Sequence, residues 1–341
     1  MKPQMENRLD SASTYFLTQQ LQSLDPTDYY ELVPGRLARR FCPLIGNVAP
    51  YDETYKYALT RLKGRAKVSG PKSKAAPTAL PVREERVSPI VAIDGSFGWS
   101  FDSIRAAQQK NINLDNDCYL ADLTASEQTV DSMLCYGNGD ALTLGTIPGL
   151  INNNVTNGGD ITNVVPAAKT GGGDWLAPAT PMEEILKDVV AMIQDVKNGL
   201  KQAMAANTRA PMFETFSLFL PTALFHHLAL PRSTQSDMSV LRWLKANLQD
   251  HGLTAIEPWW QLDAAAPGAS AGKGMALLAP NITSGAIHPI AGGALVPLEH
   301  TREQEQYAGR NVVVPTVTRC GGFINRFPIA FRTMFGAAFD A

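Results

Sequence analysis

Apolar and polar residues alternate from residue 51 to residue 62, and this two-residue period predicts a half-exposed strand in which Tyr55 and Tyr57 share one face. A second strand is predicted from about residue 87 to residue 101. The stretch between the strands, residues 64 to 77, is rich in glycine, proline and lysine and has almost nothing to bury. Together these segments predict a long β-hairpin with a basic tip that projects from the body.

A helix is predicted from residue 115 to residue 136, because apolar residues recur there at helical spacing. One face carries the apolar side chains of Leu120, Leu123, Val130 and Leu134. Asp115 or Asn116 can cap the start of this helix, and Gly137 can end it. The opposite face carries the carboxylates of Asp117, Asp122, Glu127 and Asp131. Because these carboxylates scatter around the helix, we interpret them as a solvated face and not as a metal site.

The start of a longer helix is indicated by Thr180 to Glu183, where a capping box surrounds a proline at the first helical position. An apolar stripe then continues for about seven turns at 3.6-residue spacing. Its members are Ile185, Val189, Met192, Val196, Leu200 and Met204. Further elements are predicted as an apolar run at 212–220, helices at 221–230 and 237–248, and strands at 254–260 and 273–278.

Residues 311 to 328 predict two strands that are joined or bulged at Gly321 and Gly322. Residues 137 to 174 are rich in glycine, asparagine and threonine and predict loops with short strands. Helices and mostly antiparallel strands are thus mixed without a regular βαβ alternation. This arrangement is typical of the α+β fold class.

The first 45 residues carry bulky apolar side chains, such as Tyr15, Phe16 and Leu17, without a long helical or strand period. A segment of this kind cannot form a core of its own. We therefore expect residues 1 to 45 to lie across another surface as an extended arm.

The composition is that of a globular protein: 341 residues are 45% hydrophobic, enough to bury one extended core or two smaller ones. Lys and Arg total 30 against 32 Asp and Glu, so the net charge of −2 gives no overall attraction to nucleic acid or to a membrane. No apolar stretch is long enough to span a bilayer, and the first residues are too polar for a signal peptide. These features predict a protein that stays in the cytoplasm where it is made.

The candidate chemical groups do not combine into a known site. The neighbouring His226 and His227 point about 100° apart on a helix, so they cannot chelate one metal ion together. A glycine run at residues 171–174 lacks the lysine and hydroxyl residue of a phosphate loop. Trp259 and Trp260 fit a core or a subunit interface as well as a stacking platform. No catalytic, cofactor-binding or metal-binding residue is therefore predicted, and the chain is not expected to be an enzyme.

The four cysteines, Cys42, Cys118, Cys135 and Cys320, lie far apart without a CxxC pair. This spacing predicts buried thiols and no disulfide framework or zinc cluster.

Basic residues concentrate in the tip of the predicted hairpin: Lys63, Arg65, Lys67, Lys72 and Lys74. The cluster has the composition of a nucleic-acid patch. A loop tip that docks on acidic groups of a neighbouring copy explains it better, because the hairpin is expected to project.

Six segments in sequence order resemble the major capsid proteins of tailed double-stranded-DNA phages and prophages, the Hong Kong 97-type capsid family. They are Tyr15–Leu21, Asp25–Thr27, Gly95–Ala107, Ile147–Leu150, Leu220–Leu224 and Arg319–Gly322. The resemblance spans most of the chain. It implies four regions: an N-terminal arm (1–45), an extended hairpin loop (46–100), a peripheral domain with a spine helix (101–150 and 300–341) and an axial domain (151–299).

The resemblance also implies a structural function, in which copies form pentamers and hexamers of an icosahedral head that encloses double-stranded DNA. The residues expected at contacts between subunits are Tyr15, Phe16, Leu17, Tyr29, Tyr30, Lys63, Arg65, Lys67, Lys72, Lys74, Arg83 and Arg86. No cofactor is implied. The implied location is the virion capsid, with assembly in the host cytoplasm. Other partners are a portal protein, a decoration or minor capsid protein, and packaged DNA held by weak, non-specific contacts.

Because few residues precede the first matching segment, we expect a separate scaffolding protein and not a fused scaffolding segment. Some family members link subunits covalently through a loop lysine, but no partner asparagine is identifiable here, so a non-covalent contact is expected. Two alternatives stay open: an encapsulin-like protein nanocompartment, and a cytosolic hydrolase with a site near His226 or Trp259.

Overall fold

The computed structural model describes residues 37–46, 48–63, 80–110, 114–138, 146–153, 160–164, 175, 180–205, 213–233, 236–263, 275–282 and 286–335. These residues belong to one compact unit, Arg36–Ala341. The helices are α1 (Leu37–Phe41), α2 (Phe101–Lys110), α3 (Leu114–Tyr136), α4 (Met182–Ala205), α5 (Thr222–Leu228) and α6 (Val240–Leu248).

The strands are, in chain order, β1 (Thr54–Lys63), β2 (Leu80–Pro89), β3 (Val91–Ser100), β4 (Thr162–Asn163), β5 (Phe216–Leu220), β6 (Pro231–Ser233), β7 (Ser236–Ser239), β8 (Leu253–Pro258), β9 (Met275–Pro280), β10 (Gly292–Ala294), β11 (Leu298–Arg302), β12 (Gln306–Ala308), β13 (Asn311–Cys320), β14 (Phe323–Asn325) and β15 (Arg332–Phe335). Helices and strands are mixed as the α+β prediction requires.

The predicted hairpin is present, but its second strand lies earlier in the chain than expected. β1 pairs with β2 in antiparallel register from Thr54 opposite Pro89 to Lys63 opposite Leu80. The segment predicted as one strand from about 87 to 101 is divided at Ile90, which is buried. Its remaining part, β3, leaves the hairpin and joins another sheet. The prediction failed here because the alternation of side chains continues across the division.

A second sheet is built around β13, which pairs with β3 on one side and with β11 and β12 on the other. Alternate residues of β13 are buried, from Val312 to Cys320. Helix α3 packs against β3 and β13. Gly137 ends α3 with a φ of 63°, in the left-handed region that favours glycine, as the sequence predicted. Helix α2, which follows β3 directly, was not predicted.

A five-stranded sheet in the order β4-β15-β9-β5-β8 forms the centre of the main core. Every residue of β5 is buried. The pairs β15–β4 and β5–β8 are parallel, and the others are antiparallel. The chain passes through α5 and α6 between the parallel strands β5 and β8, so one helical crossover exists where the sequence suggested no βαβ alternation.

Helix α4 confirms the prediction of a long amphipathic helix. Its stripe residues Ile185, Val189, Met192 and Val196 are fully buried or nearly so. Helix α6 begins at Ser239, whose hydroxyl accepts a hydrogen bond from the backbone N–H of Arg242. Around these helices lie large buried aromatic side chains, including those of Trp175, Trp259, Phe216, Phe219, Phe323 and Phe331.

Candidate inter-subunit surface

The β1–β2 hairpin is the described part of the surface that the sequence predicted for contacts between subunits. Among the described residues it is a two-stranded ribbon, so each strand has an edge whose backbone groups pair with no other described strand. Val87 on this ribbon is 55% exposed, and Tyr51 just before it is 75% exposed. A two-stranded ribbon is marginally stable by itself, so an exposed one gains stability from further contacts.

The base of the hairpin is anchored by a small hydrophobic cluster. Ile90, Leu295 and Ile324 are buried there, and Tyr55 and Tyr57 pack against them. The two tyrosine rings stack with centroids 5.9 Å apart and an interplanar angle of 21°. The ribbon therefore leaves the body from a fixed base.

Arg86 makes contacts within its own chain. Its Nη1 donates to Oδ2 of Asp160 over 2.9 Å, and its Nε donates to Oε1 of Glu84 over 3.1 Å. Arg83 lies 3.5 Å from Oε1 of Glu85 at an exposed position. The predicted role of both arginines between subunits stays a prediction.

The other predicted contact residues fall where side chains are not described. Tyr15, Phe16, Leu17, Tyr29, Tyr30, Arg65, Lys67, Lys72 and Lys74 lie outside the described residues, as does the glycine run at 171–174. Lys63 is described as the last residue of β1.

The acidic side of α3 does not form the solvated face that the sequence suggested. The carboxylate of Asp122 is only 9% exposed, and its Oδ2 accepts a hydrogen bond of 2.6 Å from the hydroxyl of Thr316 in β13. The imidazole Nε2 of His300 in β11 lies 3.3 Å from the same oxygen. The prediction was wrong because the helix packs its acidic side onto a sheet whose polar residues lie far away in the sequence.

Two arginines lie close to further carboxylates of α3. Arg39 of α1 lies 3.6 Å from Glu127 and donates to Oε1 of Glu299 over 2.8 Å. Arg302 lies 3.7 Å from Asp115 and above the ring of Tyr119, 4.0 Å from its centroid. Helix α3 is thus joined to α1 and to β11 by opposite charges.

At its C-terminal end, α3 contributes Asp131 to a buried polar network. Gln261 Nε2 donates to Oδ2 of Asp131 over 3.3 Å, and Cys135 donates to Oε1 of the same glutamine. The hydroxyl of Tyr136 donates to the backbone carbonyl of Gln261. Burial raises the pKa values of Cys135 and Tyr136 well above their ordinary values, so both stay protonated. The network fixes the end of α3 to the segment after β8.

The thiols and the candidate catalytic residues show no reactive arrangement. Cys42, Cys135 and Cys320 are buried, and burial raises the pKa of Cys320 to about 11; Cys118 is partly exposed, unlike the prediction. His226 is exposed and His227 is half-buried. Trp259 is a core residue.

Metal and membrane chemistry are not indicated in the part of the chain that the structure describes. There, no three histidine, cysteine, aspartate or glutamate side chains come together in a way that could hold a metal ion. None of the helices in that part is long and apolar enough to cross a membrane.

Sequence reasoning missed the contacts of Asp122, Arg39 and Arg302. Their partners are separated from them by many residues, and periodicity reports only on neighbours along one element. The buried polar residue Thr316 in β13 was the available signal for the contact of Asp122, because a buried hydroxyl needs a partner.

A model of the family described as "Major capsid protein" matches residues 64–334 of this chain. No curated protein sequence matches this chain. Solved structures give the fold: the capsid of Myoviridae Phage XM1 has 16% sequence identity and a TM-score of 0.68, over 93% of this chain and 97% of that one.

Two further solved structures are similar. The capsid of a native GTA particle has 12% identity and a TM-score of 0.63, with 93% of this chain and 95% of that chain covered. A chain of Mycobacterium phage Ogopogo has 14% identity and a TM-score of 0.57, with 94% and 98% covered. At sequence identities of 12% to 16%, these structural similarities establish the fold alone.

Proposed function

Because this chain belongs to the major capsid protein family, we propose that its copies assemble as pentamers and hexamers into the icosahedral head of a tailed phage that encloses double-stranded DNA. The match of the family model to residues 64–334 carries this proposal. A member of this family serves as a structural protein, so its function lies in its surfaces and in the geometry of its contacts. A cytosolic hydrolase is not supported by this membership.

The exposed hairpin supports self-association. Its base is held by Tyr55 and Tyr57, whereas Val87, which pairs with Lys56 in the same part of the ribbon, is half-exposed. Apolar side chains and backbone edges that one chain leaves open are the features that a second copy covers in an assembly. Each specific interface of this kind buries on the order of 1,600 Å², and a closed shell multiplies the effect of many such interfaces.

We assign the four regions along the chain as the family resemblance implies: arm 1–45, hairpin loop 46–100, peripheral domain 101–150 and 300–341, and axial domain 151–299. The described end of the arm region, α1, packs into the core through Phe41, so an arm that precedes it starts from a fixed point. The contacts between subunits are assigned to the arm and to the basic tip of the hairpin.

The remaining partners follow from the same proposal. A scaffolding protein directs assembly in the host cytoplasm, a portal protein occupies one vertex, and a decoration or minor capsid protein is a further partner. The net charge of −2 favours weak and local contacts with the packaged DNA.

Electron microscopy of a loop variant tests the proposal. Replacing residues 64–79 with an Asn-Gly turn retains the paired strands β1 and β2, which end at Lys63 and Leu80, but removes Arg65, Lys67, Lys72 and Lys74 of the basic tip. We expect a folded protein by circular dichroism that forms no shells, whereas the unmodified chain forms them. Normal shells from the variant would show that the tip is not needed for assembly.

The content of the particles separates a phage head from a protein nanocompartment. Particles purified from cells that carry the complete set of phage genes should hold DNA that resists added nuclease. Particles filled with protein and free of DNA would favour the nanocompartment. A small oligomer in size-exclusion chromatography, with no particles, would contradict both.

A further inference from the structure

A small pocket of about 150 Å³ lies where α3 faces β11 and β13. Its lining combines charged, polar and apolar side chains: Arg39, Tyr119, Leu123, Glu127, Val130, Val296, Glu299, His300 and Thr318. The mouth is at the surface, because the side chain of Glu299 is 69% exposed while that of His300 is 5% exposed. The assembly function proposed above assigns no role to this pocket.

Buried polar atoms in the wall of the pocket lack partners. Neither ring nitrogen of His300 makes a hydrogen bond, although Nε2 lies 3.3 Å from Asp122, and the Thr318 hydroxyl also makes none. Burying a polar group without a hydrogen bond costs about 1–3 kcal/mol, and folded proteins avoid it. These atoms therefore point to a polar group that occupies the pocket.

The charge of the wall favours a cation. Glu127 and Glu299 contribute two negative charges, and Arg39, which contacts both, contributes one positive charge. Asp122 and Arg302, which act on His300 with opposite charges, leave this net negative charge unchanged. Burial lowers the pKa of His300, so the imidazole is neutral at neutral pH and one of its nitrogens is a hydrogen-bond acceptor. Because no three His, Cys, Asp or Glu side chains in the described ranges are placed to hold a metal ion, the wall does not fit a metal cation.

The rest of the wall fits a short hydrocarbon chain. Leu123, Val130 and Val296 are apolar, whereas the Tyr119 ring already has the guanidinium of Arg302 above it. A cavity of this size accommodates a molecule of a few carbon atoms. We propose that the pocket binds a small primary alkylammonium ion, whose nitrogen donates to Glu299, His300 and Thr318 while its carbon chain contacts the apolar wall.

Equilibrium dialysis with radiolabelled butylamine at pH 7.5 and 150 mM NaCl tests this proposal on the full chain, both as free subunits and as assembled shells. We expect saturable binding of one molecule per chain in both forms, with a dissociation constant on the order of 1 mM, reasonable for so small a ligand. An excess of 1-butanol should not compete, because it carries no charge.

Two variants and a matched control locate the binding. Glu299→Gln and Thr318→Val should each weaken binding at least fivefold, the first by removing a charge and the second by removing a hydroxyl. Glu303→Gln makes the same charge change at an exposed position outside the pocket lining and should alter binding less than twofold.

Three results would overturn the proposal. They are the absence of saturable binding, equal binding by Glu299→Gln and Glu303→Gln, and binding by free subunits but not by shells. The last result would mean that a neighbouring copy fills the pocket.

Discussion

The hydroxyl of Thr316 donates a hydrogen bond of 2.6 Å to Oδ2 of Asp122, although the two residues are 194 positions apart in the chain. This bond joins the middle of α3 to β13 and satisfies a carboxylate that is almost fully buried. It also explains a polar residue within a strand that is otherwise mostly apolar. The contribution of this bond to the free energy of unfolding can be separated from that of the unpaired Thr318 hydroxyl, two residues away.

Thr316→Val should lower the free energy of unfolding by about 1.5–3 kcal/mol, because the buried Asp122 carboxylate loses a donor. Thr318→Val is the matched control: it lies on the same face of β13, and its hydroxyl has no partner. We expect the control to unfold at the same urea concentration as the unmodified chain, or at a higher one. Equal losses in both variants, measured on unassembled subunits, would contradict a specific role for the Thr316 bond.

Gly98→Ala should destabilise the sheet around β13. A Cβ at this position would lie 2.5 Å from the backbone oxygen of Val312, and a backbone atom of a paired strand cannot move aside. We expect a loss of about 1–3 kcal/mol in thermal or urea unfolding. Gly46→Ala is the control, since nothing lies within 4 Å of its added Cβ. An unchanged unfolding midpoint for Gly98→Ala would mean that β3 and β13 can move apart to fit the added Cβ without a loss of stability.

Asp195→Ala should cost about 2–3 kcal/mol of unfolding free energy, although Asp195 itself is nearly half exposed. The reason is its partner: the Arg332 side chain is 4% exposed and would keep a buried positive charge without its carboxylate. Arg332 also donates to the backbone oxygens of Ile329 and Phe331, so it cannot turn to solvent without breaking them. Asp250→Ala, at an exposed site, should cost less than 0.5 kcal/mol in the same unfolding assay. Similar values for the two variants would refute the argument.

The free energy of unfolding should fall in mildly acidic solution, because the pKa of His300 is lower in the folded chain than in the unfolded chain. Burial lowers its pKa and the nearby Arg302 lowers it further, against the opposing effect of Asp122. Above the unfolded-state pKa of about 6.5 both states hold a neutral imidazole, and the full stability is present. As the pH falls below that value, the unfolded chain binds the proton first, so stability is lost progressively.

His300→Gln removes this titration. Urea midpoints measured from pH 7.5 to pH 5 should therefore fall less steeply for the variant than for the unmodified chain. Other groups, including His288, titrate in both proteins, so the difference between the two curves isolates His300. Parallel curves would show that His300 does not contribute.

The elements with a strong local period could be predicted from the sequence. Helix α4 has six apolar residues at helical spacing, and α3 ends at the glycine that was expected to end it. The first hairpin strand follows its two-residue alternation. Each of these signals arises from one element that packs one face against the core, which is what periodicity measures.

Two of the errors have the same physical origin. The interpretation of the acidic side of α3 as solvated considered the helix alone, whereas Asp122 and Glu127 are satisfied by Thr316 and Arg39 from distant parts of the chain. The division at Ile90 is likewise set by a tertiary contact, because this residue packs against Leu295. Long-range partners leave no local pattern, so neither contact could be read from one segment.

The pairing of β3 with β13 determines when this chain can finish folding during translation. Ten residues of β3 are matched in register by residues 311–320, so the sheet stays incomplete until those residues have left the ribosome. A nascent or prematurely terminated product without that segment leaves β3 without this partner and α3 without its platform. Only a copy that contains residues 311–320 can therefore complete this sheet.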